Sequence, residues 1–292
     1  MVAPRIAVGP RPAPFAVDAV RAGGGTLVDV DDNPEALIWL GHDMDALAAV
    51  LSDAPDLRWV QLPSAGIERA VEAGVVDARF TWTCAKGAYA EPVAEHALTL
   101  ALAGLRLLPE RVRARSWGAQ GGTSLYDERV TILGAGGITS ALLGHLAPFR
   151  VHTTVVRRSP DPLPGASRTL PLAELGAALA GSLVVFLALA LSPETAGVIG
   201  PSELGRMDER AWLVNVARGR HVETDALVGA LDRGSIAGAA LDVTDPEPLP
   251  DGHPLWSLPN CIITPHTADT PEMVRPAGRA HPDQRGPLHR RR

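Results

Sequence analysis

Apolar residues along this chain gather into short continuous runs separated by longer stretches of mixed polarity. "RIAVG", "TLVDV", "ALIWL" and "RWVQL" succeed one another between residues 5 and 62. Runs of this length, bounded by Gly, Pro and Asp, read as strands. They alternate with helix-like or polar segments through residue 84, which predicts a small parallel α/β unit. "EPVAEHALTLALAGLRLLPE" at 91–110 then has helical periodicity, with Pro92 suited to a first turn and Pro109 near the exit. The Gly-rich, aperiodic "RARSWGAQGGTSLYDE" after it reads as an exposed loop or arm. A second series begins at "RVTILGAGG" and continues through "RVHTTVV", "SLVVFLAL", "AWLVNV", "IAGAALDV" and "NCIIT". These runs are apolar throughout instead of alternating, as expected when helices cover both faces of a parallel sheet. The pattern predicts an α/β protein of two doubly wound parallel-sheet domains. The first covers residues 1–90 and the second covers 91–269.

Composition narrows the function class. The chain has 292 residues, 46% apolar and 21% charged, which is ordinary globular composition with length for two domains. Net charge is −6 and no basic stripe is interleaved with aromatics, so nucleic acid is not an expected partner. The longest apolar runs, such as "LVVFLALAL" at 183–191, are too short to span a bilayer, and no membrane partner is expected. The opening "MVAPRIAVGPRPAPF" is broken by Gly and Pro, unlike a secretory signal. Cys84 and Cys261 lie in apolar stretches without metal-ligand spacing. Each reads as a small buried residue in a reduced compartment, so the expected location is cytoplasmic and no metal is expected.

The first chemical signal is "VTILGAGGITSALLGHL", which places Gly134 and Gly136 directly after a strand and before an amphipathic helix. In that context a G-x-G-x-x-G pattern permits a tight turn and close backbone approach, while amides at the helix start face a pyrophosphate. Gly137 and Ile138 open the helix, and Thr139 stands where the third glycine would be. The next strand ends "TTVVRRSP" instead of in Asp or Glu. An acid there would bond the ribose 2′-hydroxyl of NAD, whereas arginines suit the 2′-phosphate of NADP. Arg157, Arg158 and Ser159 therefore favour NADP(H), with NAD(H) as the alternative.

A second signal lies in "LDVTDPEPLPDGHPLWSLPNCIITPH" at 241–266, which fixes Glu247 between prolines and His266 behind one. Proline sets its own φ and pushes the preceding residue into extended conformations, so both side chains leave a restricted backbone.

With "RWVQLPSAGIE", "AEPVAEHALTLALAGLR", "GAGGI", "LSPETAGVIG", "LVNVARGRHVETDALVGAL", "GAALDVTDPEPLPDGHPLW" and "IITPHTA" in this order, the sequence resembles the D-isomer-specific 2-hydroxyacid dehydrogenases, particularly their glyoxylate/hydroxypyruvate reductase branch. The resemblance implies two Rossmann-like domains with a cleft between them, the first a flavodoxin-like substrate domain, and a homodimer formed mainly through the cofactor domain. It also implies a catalytic trio of Arg218, Glu247 and His266 acting on a small 2-keto or 2-hydroxy acid. The chemistry needs these residue types. Hydride delivery to C2 of a 2-keto acid leaves an alkoxide unless a proton arrives with it, and His266 is the expected donor. An adjacent carboxylate favours the imidazolium and orients the ring. Arg218 offers a planar fork to the substrate carboxylate, for which Lys is a poor replacement.

Other assignments come from the same resemblance. Ala65 and Gly66 in "PSAGIE" are expected to offer amides to the substrate carboxylate, with a simple turn as the competing explanation. Asp242 matches a position near the nicotinamide, with loop capping as its alternative. Leu189 lies in the cofactor loop, where Ala190 replaces a proline common in relatives and leaves the loop less constrained. His96 reads as structural, His42 and His253 have no comparable context, and Trp256 reads as core packing in preference to active-site closure. After "PHTADTPEM" relatives continue with a long helix that returns to the first domain, so the resemblance makes 270–292 a candidate addition to residues 1–90, whereas here "VRPAGRAHPDQRGPLHRRR" has no helical periodicity and reads as an altered or truncated end. The rival functions are a dinucleotide-sensing regulatory protein and a phosphoglycerate dehydrogenase. Formate dehydrogenase is disfavoured, because that branch has a Gln-His pair in place of Glu247 and His266.

Overall fold

The computed structural model describes residues 2–268, which divide between Ala88 and Tyr89 into two compact units. The reading of the chain after residue 268 lies outside the described residues.

In the first unit, strands β1 (Arg5–Gly9), β2 (Thr26–Val28), β3 (Ala36–Trp39), β4 (Trp59–Leu62) and β5 (Thr81–Cys84) alternate with helices α1 (Pro14–Ala22), α2 (Met44–Ser52) and α3 (Glu68–Glu72). All strand pairs are parallel, in the order β2-β1-β3-β4-β5. This is the flavodoxin-like winding. Leu37, Trp39, Val60 and Leu62 fill one side of the sheet against Leu47 and Leu51 of α2.

The second unit opens with α4 (Ala90–Leu105) and α5 (Leu108–Arg113). The predicted single helix over 91–110 is therefore two. Leu107 takes a left-handed φ of 54°, which breaks the ladder, and Pro109 sits in the first turn of α5 instead of at the exit of α4. The sheet comes next: β6 (Arg129–Leu133), α6 (Gly137–Leu146), β7 (His152–Arg157), β8 (Arg168–Pro171), α7 (Leu175–Leu179), β9 (Val184–Leu187), α8 (Pro201–Leu204), β10 (Trp212–Asn215), α9 (Thr224–Asp232), β11 (Gly238–Leu241) and β12 (Cys261–Ile263). Its seven parallel strands run β12-β11-β10-β9-β6-β7-β8. Counted from β6 this is the Rossmann order with one further strand, and the order reverses between β6 and β9.

Burial explains why the strand runs are continuously apolar. Val184 and Phe186 of β9 pack with α4 and α6 on one face, while Val185 and Leu187 pack with α7, α8 and α9 on the other. Neither β5 nor β8 is among the apolar runs read from the sequence. Both are edge strands, only partly buried, and short segments in which Thr81, Thr83, Arg168 and Thr169 interrupt the apolar signal.

Trp212, 5% exposed, occupies a slot made by two missing side chains. A Cβ on Gly104 of α4 would lie 2.3 Å from its ring, and one on Gly238 of β11 would lie 2.5 Å away. Gly104→Ala is therefore expected to destabilise the second unit by about 1–3 kcal/mol, the usual cost of overpacking. Thermal unfolding compared with the wild type checks this, and an unchanged midpoint would contradict the packing described.

Candidate functional site

One row of hydrogen-bonded register crosses the seven-stranded sheet. Leu133 of β6, Leu187 of β9, Asn215 of β10, Leu241 of β11 and Ile263 of β12 are partners in turn. All five close their strands at the carboxyl edge, where open α/β sheets bind ligands. The loops leaving these strand ends build the site: Gly134 after Leu133, Leu189 after Leu187, Arg218 after Asn215, Asp242 and Glu247 after Leu241, and His266 after Ile263.

Gly134 has φ +110°, and a Cβ there would lie 2.2 Å from the carbonyl oxygen of Ala188. The turn after β6 thus rests directly on the backbone after β9, which only glycine permits. Gly136 caps α6, and a Cβ on it would meet nothing within 4 Å. The first amides of the helix, at exposed Gly137 and half-buried Ile138, face that open space with no side-chain cap. A dinucleotide pyrophosphate fits this arrangement of clear approach and helix dipole. Thr139 is fully buried and its hydroxyl donates to Gly134 O at 3.0 Å, so it braces the turn from behind.

Arg157 closes β7 half-buried and Arg158 follows it exposed. Ser159 is bound by Asp161, its hydroxyl donating to that carboxylate. Glu194 is held below the usual carboxylate range by the Ser192 hydroxyl first and its own backbone amide next, with the charge of Arg158 adding to the effect.

Three elements carry the proposed trio. Asn215, 1% exposed, uses its amide to tie down the turn after β10, donating to Arg218 O at 2.9 Å and accepting from Ala217 N at 3.0 Å. Arg218 Nη1 donates to Ala217 O at 2.6 Å. A Cβ on the next residue, Gly219, would lie 1.9 Å from Thr244 O, so this turn packs backbone to backbone on the loop that carries Glu247. Thr224 Oγ1 holds the same loop at Asp245 O, 2.8 Å away. Glu247 Oε1 and His266 Nδ1 then meet at 2.8 Å, with both side chains partly open to solvent. An exposed pair of this kind adds only about 0–1 kcal/mol, so what it supplies is orientation of the ring more than stability.

Asp242 is 2% exposed and caps the segment on which His266 sits. It accepts from Thr264 Oγ1 at 2.5 Å, Thr267 N at 3.0 Å and Ala268 N at 3.2 Å. His96 Nε2 of α4 lies 3.3 Å from Asp242 and 3.1 Å from Thr264 Oγ1. Burial pushes the Asp242 carboxyl up, but His96, the Thr264 hydroxyl and the Thr267 amide together outweigh it and hold the group below its ordinary value.

The structure brings the residues of the second unit to one sheet edge. Ala65, exposed, and Gly66, half-buried, lie in the first unit, in the turn between β4 and α3, where Ser64 Oγ donates to Gly66 O at 2.6 Å. Trp256 is not core: it is 50% exposed, and its indole N–H donates to Pro250 O, while Leu255 beside it is buried. His253 caps the same short turn, its ring accepting from Leu255 N at 3.3 Å. Cys261 is buried, with its thiol pushed up to about 12 by desolvation, whereas Cys84 is only half-buried. Asn215, Gly219 and His221 escaped sequence reasoning. The polar residue closing "AWLVN" was the available signal for the first. Among the described residues, no group of three metal-ligating side chains occurs.

A depressed buried carboxyl contributes stability above its unfolded value of about 3.9, and that contribution is lost as pH falls through the lower folded value. Asp242→Asn is expected to cost about 1–3 kcal/mol at pH 7 and progressively less below about pH 4. Denaturant unfolding of both proteins across this range checks the convergence.

The sequence profile described as "D-isomer specific 2-hydroxyacid dehydrogenase, NAD binding domain" matches residues 96–268. A Corynebacterium melassecola protein, described as an uncharacterized protein in the proB 3′ region, is 44% identical over 230 residues, 76% of each chain. Mouse glyoxylate reductase/hydroxypyruvate reductase is 34% identical over 201 residues; the match covers 65% of this chain and 60% of the mouse protein's length. Among solved structures, a D-isomer specific 2-hydroxyacid dehydrogenase from Xanthobacter autotrophicus Py2, in complex with NADPH and MES, superposes with TM-score 0.79 at 27% identity. That superposition covers 92% of this chain and 89% of the other.

Proposed function

Because the chain belongs to the D-isomer specific 2-hydroxyacid dehydrogenases, a family of NAD(P)-dependent oxidoreductases, we propose that it reduces a small 2-keto acid of the glyoxylate or hydroxypyruvate type to the D-2-hydroxy acid. The observation that carries this reading is the 2.8 Å contact between His266 Nδ1 and Glu247, on the same sheet edge as the Gly134 turn and the Arg218 turn. A bound nicotinamide supplies the hydride to C2. With Nδ1 donating to Glu247, Nε2 is the atom at which His266 delivers a proton to the carbonyl oxygen, and solvent returns it. Arg218 grips the substrate carboxylate and polarises the carbonyl. Ala65 and Gly66 of the first unit are the proposed amide donors to that carboxylate.

Gly134, Gly136, Gly137 and Ile138 hold the pyrophosphate in this reading, Leu189 and Asp242 flank the nicotinamide half, and Arg157, Arg158 and Ser159 favour NADP(H) over NAD(H). A homodimer through the second unit and a cytoplasmic location complete the proposal. Its support is the family, the reductase activity named for the mouse relative, and the NADPH complex of the Xanthobacter structure.

NADPH oxidation followed by absorbance is expected with glyoxylate and hydroxypyruvate, and more slowly with NADH. His266→Gln should lower kcat by roughly 10²–10⁴, the range for loss of a general acid. Arg218→Lys should raise KM, because an ammonium cannot reproduce the bidentate fork, and lower kcat as polarisation of the carbonyl weakens. Tight NADPH binding without turnover of any 2-keto acid would replace this reading with the dinucleotide-sensing one.

A further inference from the structure

His221 is fully buried at the end of the short helical turn Gly219–His221 that comes directly after Arg218. Its ring points into the loop after β9 and meets two backbone carbonyls there: Nδ1 lies 2.9 Å from Thr195 O and Nε2 lies 3.2 Å from Leu189 O. Carbonyl oxygens only accept, so each contact draws on an N–H of the ring; a neutral imidazole supplies one and the imidazolium both.

The two carbonyls bracket a segment of special position. Leu189 follows Ala188, the residue against which the Gly134 turn rests; a Cβ on Gly134 would lie 3.0 Å from Leu189 Cα. A continuous chain of contacts therefore runs from the glycine turn to Leu189, from Leu189 O to His221, and along the backbone to Arg218. The far side of the loop is fixed by main-chain bonds, Gly197 N to Arg220 O at 2.8 Å and Ile199 N to His221 O at 3.0 Å. Between them, residues 190–195 close on themselves by Ser192 N to Thr195 Oγ1 at 2.8 Å and Thr195 Oγ1 to Ala190 O at 2.9 Å. The imidazole adds side-chain contacts at both ends of this small closed loop, at Leu189 O and Thr195 O, to the main-chain bonds that join its far side to the turn carrying Arg218.

We propose that His221 is a positioning residue that couples the loop beside the cofactor turn to Arg218, so that dinucleotide binding sets the placement of the substrate-binding guanidinium. The inference rests on the reductase reading for its substrate arm only. Loss of the coupling raises the Kd for NADPH and weakens the gain in 2-keto acid affinity that NADPH provides.

His221→Gln keeps a donor but replaces two separate ring nitrogens with a single amide nitrogen, and His221→Phe keeps an aromatic ring with no donor. In the ligand-free protein, hydrogen exchange at amides 190–196 should be faster in His221→Gln than in the wild type and faster still in His221→Phe. The NADPH Kd, read by fluorescence, should rise about tenfold in His221→Gln, as expected for roughly one lost hydrogen bond. Oxamate, an unreactive carboxylate analogue, should bind more tightly with NADPH present in the wild type, and this gain should shrink in both variants. Wild-type exchange rates and NADPH affinity in His221→Gln would overturn the proposal even if His221→Phe failed to fold, as would an undiminished oxamate gain. A wild-type protein that binds NADPH but reduces no 2-keto acid would refute the reductase reading instead, with the exchange and NADPH arms still deciding the role of His221.

Discussion

At Gly219 the backbone of the Arg218 turn lies so close to Thr244 that a Cβ would stand 1.9 Å from the carbonyl oxygen. At Gly134 the cofactor turn meets Ala188 in the same manner, at 2.2 Å. These two contacts turn a sheet edge into a site. Parallel strands bring their carboxyl ends into one row by register, but the loops that leave them would diverge if each carried side chains at the points of meeting. Glycine removes that bulk where loops after β6 and β9, and after β10 and β11, must cross. The site's geometry is thus fixed by main-chain packing, which yields less than side-chain contacts do, because a backbone has no rotamers with which to adjust.

On this frame the polar groups divide by burial. Asn215, Asp242 and His221 are almost fully buried, and each bonds the backbone of a loop that carries a proposed functional residue, Asp242 adding the side chains of Thr264 and His96. Glu247 and His266 are partly open and bond to each other. Buried polar groups without partners are costly, so groups that are fully satisfied hold their loops rigidly. The proposed proton donor can then remain accessible to water and substrate while its backbone stays fixed. His266 has φ +50°, an uncommon conformation for a non-glycine residue, and its N–H is shared between Asp242 O and Thr264 O.

The parts legible in the sequence were those with a local signature. Continuous apolar runs marked the central strands, and the glycines after "VTIL" marked the switch point, because the turn and the strand that feeds it are adjacent in the chain. The acid between prolines was legible as a restricted position, whereas His266, which follows a proline, takes a left-handed φ of 50° that no proline rule announces; the family resemblance gave both their roles. What was not legible depended on distant partners. His96 stands in a helix far along the chain from Asp242, and nothing near "AEHAL" announces that pairing. Gly219 looks like any loop glycine until Thr244 is seen beside it. Trp256 misled because its apolar character suggested core, whereas its neighbour Leu255 is the residue that packs inward. The helix over 91–110 was overextended because apolar periodicity continues through Leu107, where the backbone itself turns left-handed.

The choice between the two dinucleotides illustrates how a sequence argument changes once partners are visible. "RRSP" suggested three phosphate ligands in succession. In the structure the Ser159 hydroxyl already donates to Asp161, and Glu194 stands within the field of Arg158. A 2′-phosphate brought to this place meets two guanidiniums but also two carboxylates, and it gains the hydroxyl only by displacing Asp161. Selectivity for NADP(H) in the proposed function therefore rests first on Arg157 and Arg158, with Ser159 contributing once Asp161 is displaced. Arg158 is exposed and Arg157 half-buried, and charge attraction at a solvent-facing site is screened over about 8–10 Å, so the preference should weaken as salt is raised. A buried hydrogen bond to the phosphate would have made it far less sensitive.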